Sequence, residues 1–263
     1  MNTFLENKTI FMALLARDMK VLKGRVHNVI IDGLILVSIT VLVFGNLLPL
    51  LGMPISLIAP AFLGNSLSFF LASLGYNFAL RMAYDLKFDR FISYFLTLPL
   101  PKRWLFSYYI ISFMIESLIV SLPLITLGII ALGKNFGSIQ GNIFVFFVVY
   151  LCSLLFWALF FLGSSFIYSF QWFKSHIWAR RIMPLFIFSP AYFTFKTIQP
   201  ILPLFHKIYF LNPLTYIIEG LRVSLLGGND YLSLPICLMG IMLSLIFMLI
   251  RLHRGIYKQL DPV

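Results

Sequence analysis

The 263-residue sequence predicts an all-α integral membrane protein with six transmembrane helices, and three observations carry that prediction. First, the composition is 60% hydrophobic with mean hydropathy +0.96, while charged residues make up only 11%. Soluble domains carry about a quarter charged residues, which excludes a water-soluble fold. Second, the apolar residues fall in runs of bilayer length, about 20 residues each. These runs cover 30–50, 57–80, 105–132, 143–170 and 232–252, with a shorter sixth at 183–198 interrupted by Pro184 and Pro190. Third, Lys and Arg are distributed unevenly. Sixteen of the twenty fall in the N-terminal segment, in the loops after the second and fourth runs, and in the tail. Only Lys134, Lys196, Lys207 and Arg222 fall elsewhere. Loops rich in Lys and Arg stay cytoplasmic. Six spans with both termini in the cytoplasm satisfy the distribution, whereas five or seven would scramble it. The result is one membrane domain over 1–263, with no room for a sizeable soluble one.

The same distribution disposes of the net charge of +11. The basic residues sit between apolar runs rather than on one patch, so they set topology and do not mark a nucleic-acid partner. Cys152 and Cys237 both lie inside apolar runs without C-x-x-C spacing and read as buried thiols. The start of the chain does not read as a signal peptide, because Arg17, Lys20, Lys23 and Arg25 follow its modest apolar stretch.

Three non-spanning pieces follow from local pattern. In IFMALLARDMKVLKGRV, Met12, Leu15, Met19, Leu22 and Val26 recur at helical steps while Arg17, Lys20 and Lys23 lie off the stripe. That spacing predicts an N-terminal helix lying in the cytoplasmic interface with its apolar face in lipid or against other helices, the alternative being an ordinary juxtamembrane anchor. In the loop after the second run, residues 85–96 mix Asp85, Lys87, Asp89 and Arg90 with Phe88, Phe91, Tyr94 and Phe95. A short helix with exposed aromatics there suits a groove on a partner or, alternatively, packing on its own membrane domain, and Pro99 and Pro101 redirect the chain into the next span. In NPLTYIIEGLR, Asn212 suits an N-cap and Pro213 the first helical turn. Leu214, Ile217, Ile218 and Leu221 form one stripe, while Thr215, Glu219 and Arg222 gather on another flank, where Glu219 and Arg222 can pair. Gly227 and Gly228 end this helix. The basic-residue distribution places it on the external side, half in lipid and half in water.

Taken in order, these features resemble the membrane subunit (permease) of type-2 ABC transporters, exporters of lipids, polysaccharides, drugs and other amphiphiles. The likeness runs over essentially the whole chain. It rests on the amphipathic N-terminal helix, the six spans, the loop ending TLPLPKRW, the proline-broken IFSPAYF and the NPLTYIIEGLR segment. Asn212, Pro213, Leu214, Thr215 and Arg222 match the family's habitual spelling. The resemblance implies that 85–96, with Asp85, Lys87, Phe88, Asp89, Arg90, Phe91 and Phe95, is a cytoplasmic coupling helix docking on an ATPase. It implies external re-entrant helices over about 199–228, before the last span. It further implies a homodimer with two copies of a separate ATPase, in a bacterial inner membrane. ATP and Mg would bind that partner, since the sequence contains no G-x-x-x-x-G-K-[ST], and GKNFG at 133–137 lacks the spacing. No cofactor is expected on this chain.

No catalytic or metal constellation stands out, because His27, His176, His206 and His253 are scattered over four segments. Ionisable residues inside spans are costly and therefore informative. Glu116 lies roughly 16 Å past Leu105 at about 1.5 Å per residue, near mid-membrane. Two readings stay open for it: a polar contact in the translocation path, or an interhelix hydrogen bond. Asn65 and Asn77 in the second run carry the same pair of readings. Two rival functions also stand: a secondary transporter or channel driven by an ion gradient, and a membrane scaffold that transports nothing.

Overall fold

A computed structural model describes residues 3–52, 54–84, 87, 88, 101–137, 139–198, 200, 207–228 and 230–260. Among them, five helices are long and apolar enough to cross a membrane: Asn7–Leu50, Ile55–Tyr84, Trp104–Phe136, Ile143–Ile167 and Leu234–Gly255. We call them the first four spans and the last span. All regular structure among the described residues is helical.

The first span departs from expectation. The helix Thr3–Thr40 continues through a π turn at Val41–Leu47 into Leu48–Leu50, and Gly52, at φ 94°, ends it. Its 44 residues from Asn7 span about 66 Å at 1.5 Å per residue, twice the hydrocarbon thickness. The stripe at Met12–Val26 is therefore not a separate helix lying flat in the interface, because one unbroken helix cannot both cross and lie flat. The reason is local: nothing between Met12 and Ile30 breaks a helix except Gly24, which one helix tolerates. The packed face also runs on without interruption through Phe11, Leu15, Leu22, Val26, Val29 and Val37. Phe11 meets Trp104 and Tyr108 edge-on at 5.7 and 6.3 Å, which seats this helix on the third span.

The second span is the most enclosed and contains its own π turn at Phe62–Leu67. The third keeps Pro123 inside the helix Lys102–Leu132, and Gly133 at φ 51° ends it. Asn142 caps the fourth, accepting from the backbone N–H groups of Phe144 at 2.9 Å and Val145 at 3.3 Å. That span stops at Ile167, three residues short of the apolar run, because Tyr168 is extended and Ser169 caps a new helix.

The expected span at 183–198 is corrected as well. Helix runs instead through Phe170–Ile177, Trp178–Ile182 (a π turn) and Met183–Ile187, and leaves helical geometry at Phe188. Between 188 and 198, only Phe195–Ile198 is helical. Pro190 has no N–H to continue the ladder and disfavours helical backbone at Ser189, so the segment breaks there. Pro184 stays inside the helix, and the break before Pro190 ends it earlier than the apolar run suggests.

The bundle has two distinct ends. At one, the side chain of Asn135 donates to the Gly45 carbonyl at 3.1 Å, and Gly141 N–H donates to the Leu225 carbonyl at 3.0 Å. At the other, Arg17, Arg25, Arg81 and Lys174 gather around Tyr108, Glu116 and Phe170. We call this the basic end. Between them the core is aromatic: Trp157, fully buried, meets Phe156, Phe160, Phe161 and Phe186 at centroid distances of 5.4–6.2 Å.

Candidate functional site

The helix Pro213–Leu226 carries the candidate site, and its start is built as the sequence predicts. Asn212 accepts from Leu214 N–H at 2.9 Å, satisfying one of the free donors of the first turn. Its amide group also donates to the carbonyls of Leu185 at 2.6 Å and Phe188 at 2.5 Å. Those carbonyls belong to the end of the helix that Pro190 breaks. One side chain thus opens one helix and closes another.

Glu219 and Arg222 pair as the i, i+3 spacing allows, with Nη1 donating to Oε1 at 2.8 Å. Both side chains are completely buried. Arg222 Nη1 also donates to the Phe193 carbonyl at 3.0 Å, Nη2 to Ala191 at 2.9 Å and Nε to Pro60 at 2.9 Å. Glu219 accepts from Phe195 N–H at 3.4 Å and Leu232 N–H at 3.0 Å. The pair therefore ties together the second span, the broken segment and the approach to the last span. Ala191 and Phe193 have left the helix, so their carbonyls lack intrahelical partners, and within a membrane protein such groups must be satisfied by protein. Gly64 makes room for this arrangement: a Cβ there would collide with Arg222 Nη2 and the Ala191 carbonyl oxygen.

One expectation is overturned here. The helix does not straddle a water boundary. Leu214, Thr215, Ile218, Glu219, Leu221 and Arg222 are all fully buried. It stands beside the last span in antiparallel sense, with Tyr216 over Gly240 and Gly220 near Cys237 and Ile241, while Gly227 at its end meets Gln140 ahead of the fourth span. Its polar flank points inward because the broken backbone supplies acceptors there. Thr215 Oγ1 has no hydrogen-bond partner among the described residues.

Glu116 is the second focus. Its carboxylate accepts from Arg25 at 3.1 Å and Arg81 at 3.2 Å. Nearby, Asp18 accepts from Arg17 at 2.8 Å, from Ser112 at 2.9 Å and from the Tyr108 hydroxyl. Glu116 sits near the middle of the helix Lys102–Leu132, where two long arginine side chains from neighbouring helices reach it. Asn77 is exposed, and its backbone carbonyl accepts from Arg81 Nε at 3.3 Å. Asn65 is half-buried in the π turn, about 18 Å from Asn77 at 1.5 Å per residue. The three candidate path residues are not gathered at one place.

Of the coupling-helix residues, Asp85, Asp89, Arg90, Phe91 and Phe95 lie outside the described residues. Lys87 and Phe88 are exposed. The Phe88 ring lies 4.8 Å from Tyr84 and 5.4 Å from Phe170, with Lys87 Nζ 5.2 Å from its centroid.

The sequence model of ABC-2 type transporters matches residues 9–226, more than four-fifths of the chain. The chain belongs to the ABC-2 type transporter family. No curated protein and no solved structure matches it. The ABC-2 match takes in the long first helix and ends with Leu226, the last residue of the helix that carries Glu219 and Arg222. ABC-2 proteins are multi-pass permeases, typically without catalysis of their own. Among the described residues of this permease, no group of three His, Cys, Asp or Glu side chains could hold a metal ion. Sequence reasoning had the pairing of Glu219 with Arg222 but missed its partners. IFSPAYF was the available signal: a proline break inside apolar sequence leaves carbonyls that some donor must meet.

Proposed function

We propose that this permease is the membrane subunit of an ATP-driven exporter that moves an amphiphile (drug, lipid or glycolipid/polysaccharide) outward across a bacterial inner membrane. The family match over 9–226 carries the reading. In it, two copies of the chain form the path between them and two copies of a separate ATPase supply ATP and Mg. The broken segment 170–198 serves as the fifth of six spans, the basic end is cytoplasmic and both termini lie there. Residues 199–228 form the external re-entrant part, with Asn212, Glu219 and Arg222 satisfying its interior.

Coupling then runs through 85–96. This loop leaves the second span four residues after Arg81, which Glu116 ties to the third span and, through Arg25, to the first. ATP-driven closure of the ATPase pair pushes on the loop, and the ion cluster carries that push to three helices. Asn65 and Asn77 on the second span would feel the same motion, and Glu116 stands at the path's cytoplasmic mouth.

The test is purification of the tagged chain with its bound partners. A Walker-motif chain should come with it, and ATP hydrolysis by the complex should be vanadate-sensitive. Replacing Phe91 and Phe95 with Asp should leave the protein folded while abolishing the link between hydrolysis and export. Transport that runs on an ion gradient in the purified chain alone would instead make it a secondary transporter. Unchanged coupling in the Phe91→Asp, Phe95→Asp variant would remove the role given to 85–96.

A further inference from the structure

Four arginines of the bundle have a carboxylate partner: Arg17 with Asp18, Arg25 and Arg81 with Glu116, and Arg222 with Glu219. Arg180, Arg181 and Arg251 do not, among the described residues. These three line one cavity of about 340 Å³, between the helix 170–187, the last span and the start of the Pro213–Leu226 helix. Arg181 and Arg251 approach the same ring: their guanidinium carbons lie 5.7 and 6.0 Å from the Tyr168 centroid. Arg251 also lies 5.6 Å from the Phe160 centroid and donates to Ser164 Oγ at 3.3 Å. The rest of the wall is largely apolar, with Phe160, Leu185, Phe188 and Leu211.

Arg180 and Arg181 are exposed and Arg251 is half-buried, so three like charges meet at the cavity mouth, where one anion can draw on all of them. Arginine suits one anion in particular, because its planar fork meets phosphate oxygens in pairs and several forks can share one phosphate. The level fits a headgroup. Arg251 lies about 26 Å past Leu234 at 1.5 Å per residue, near the far side of a hydrocarbon core about 30 Å thick. Basic pockets between spans on the cytoplasmic side are where anionic lipid headgroups bind. The cavity volume lies at the small end of the range for ligand pockets, about 300–1,000 Å³, enough for a headgroup with the tail outside. Apolar walls on membrane helices favour an ion that carries such a tail over free phosphate.

We propose that this cavity takes up a phosphate-bearing anionic amphiphile from the leaflet at the basic end. The proposal rests on the exporter reading above and names its substrate class. Asn212, also on the wall, connects an occupant to the helix break that it holds.

Native mass spectrometry of the full-length chain in detergent, with phosphatidylglycerol or phosphatidylcholine added, tests the site without nucleotide. The wild-type chain should retain phosphatidylglycerol and release phosphatidylcholine. Arg181→Gln with Arg251→Gln should lower the retained fraction at least about tenfold, the loss of one charged hydrogen bond or more. Arg181→Lys with Arg251→Lys, which keeps both charges, should restore part of it and show that the fold survives. Lys134→Gln, at the opposite end, should change nothing. Equal retention by the Gln variant and wild type would overturn the site. Displacement of the lipid by a modest excess of inorganic phosphate would overturn the preference for an amphiphile. In the ATPase complex, phosphatidylglycerol should stimulate hydrolysis by wild type and not by the Gln variant; indifference in both would overturn the uptake role. Loss of all ATP dependence with lipid retention intact would sink the exporter reading and leave the lipid site standing.

Discussion

Arg222 meets one carboxylate and three backbone carbonyls without any exposure to solvent. Breaking a buried pair by removing one partner costs about 3–5 kcal/mol, because the remaining charge is stranded. Arg222→Leu should therefore lower the thermal unfolding midpoint of the detergent-purified chain sharply, and Glu219→Leu should do the same. A double apolar replacement often restores stability at buried pairs, but here it should not. The carbonyls of Pro60, Ala191 and Phe193 would remain without donors, at about 1–3 kcal/mol each. A double variant as stable as wild type would show that water replaces the guanidinium.

At the scale of elements, the long first helix, the second span and the third meet at Glu116, where two arginines converge on one carboxylate. The arginines are about a third exposed, so screening limits the worth of each contact. The arrangement matters more than either bond, because without the carboxylate Arg25 and Arg81 face each other. Glu116→Gln should cost about 1–2 kcal/mol and speed backbone hydrogen exchange over residues 11–30 of the first helix. Unchanged exchange there would mean that the apolar face from Phe11 to Val37 alone seats that helix. The break at Pro190 is the complementary case. An element ends early, and Asn212 and Arg222, from a different element, satisfy what the ending leaves open.

For the whole molecule, the spans differ in enclosure. The first and last leave most of their apolar windows uncovered, at 17% and 22% buried, against 72% for the second. Ile35, Leu42, Met242 and Phe247 are outward-facing residues on those two spans, a surface suited to lipid or to a second copy. The two-ended bundle also makes topology testable. In a background lacking Cys152 and Cys237, a single cysteine at Asp230 should react with an impermeant maleimide from outside intact cells. One at Lys20 should react only after the membrane is opened, and the reverse pattern would invert the basic end.

The sequence by itself determined the class and four of the spans to within a few residues. Run length and the placement of Lys and Arg are properties of the chain that the bilayer reads directly. It also determined the Asn212 cap and the spacing that lets Glu219 reach Arg222, since both are local. Tertiary structure alone decided that the first helix runs unbroken, that the Pro213–Leu226 helix buries its polar flank with Glu219 and Arg222, and that Glu116 joins Arg25 and Arg81. It alone brought Arg181 and Arg251 to one tyrosine across about 70 residues of sequence. The reason is physical. A charge inside a membrane protein is placed by whichever partner packing brings within hydrogen-bond reach, and no spacing along one helix encodes a partner on another.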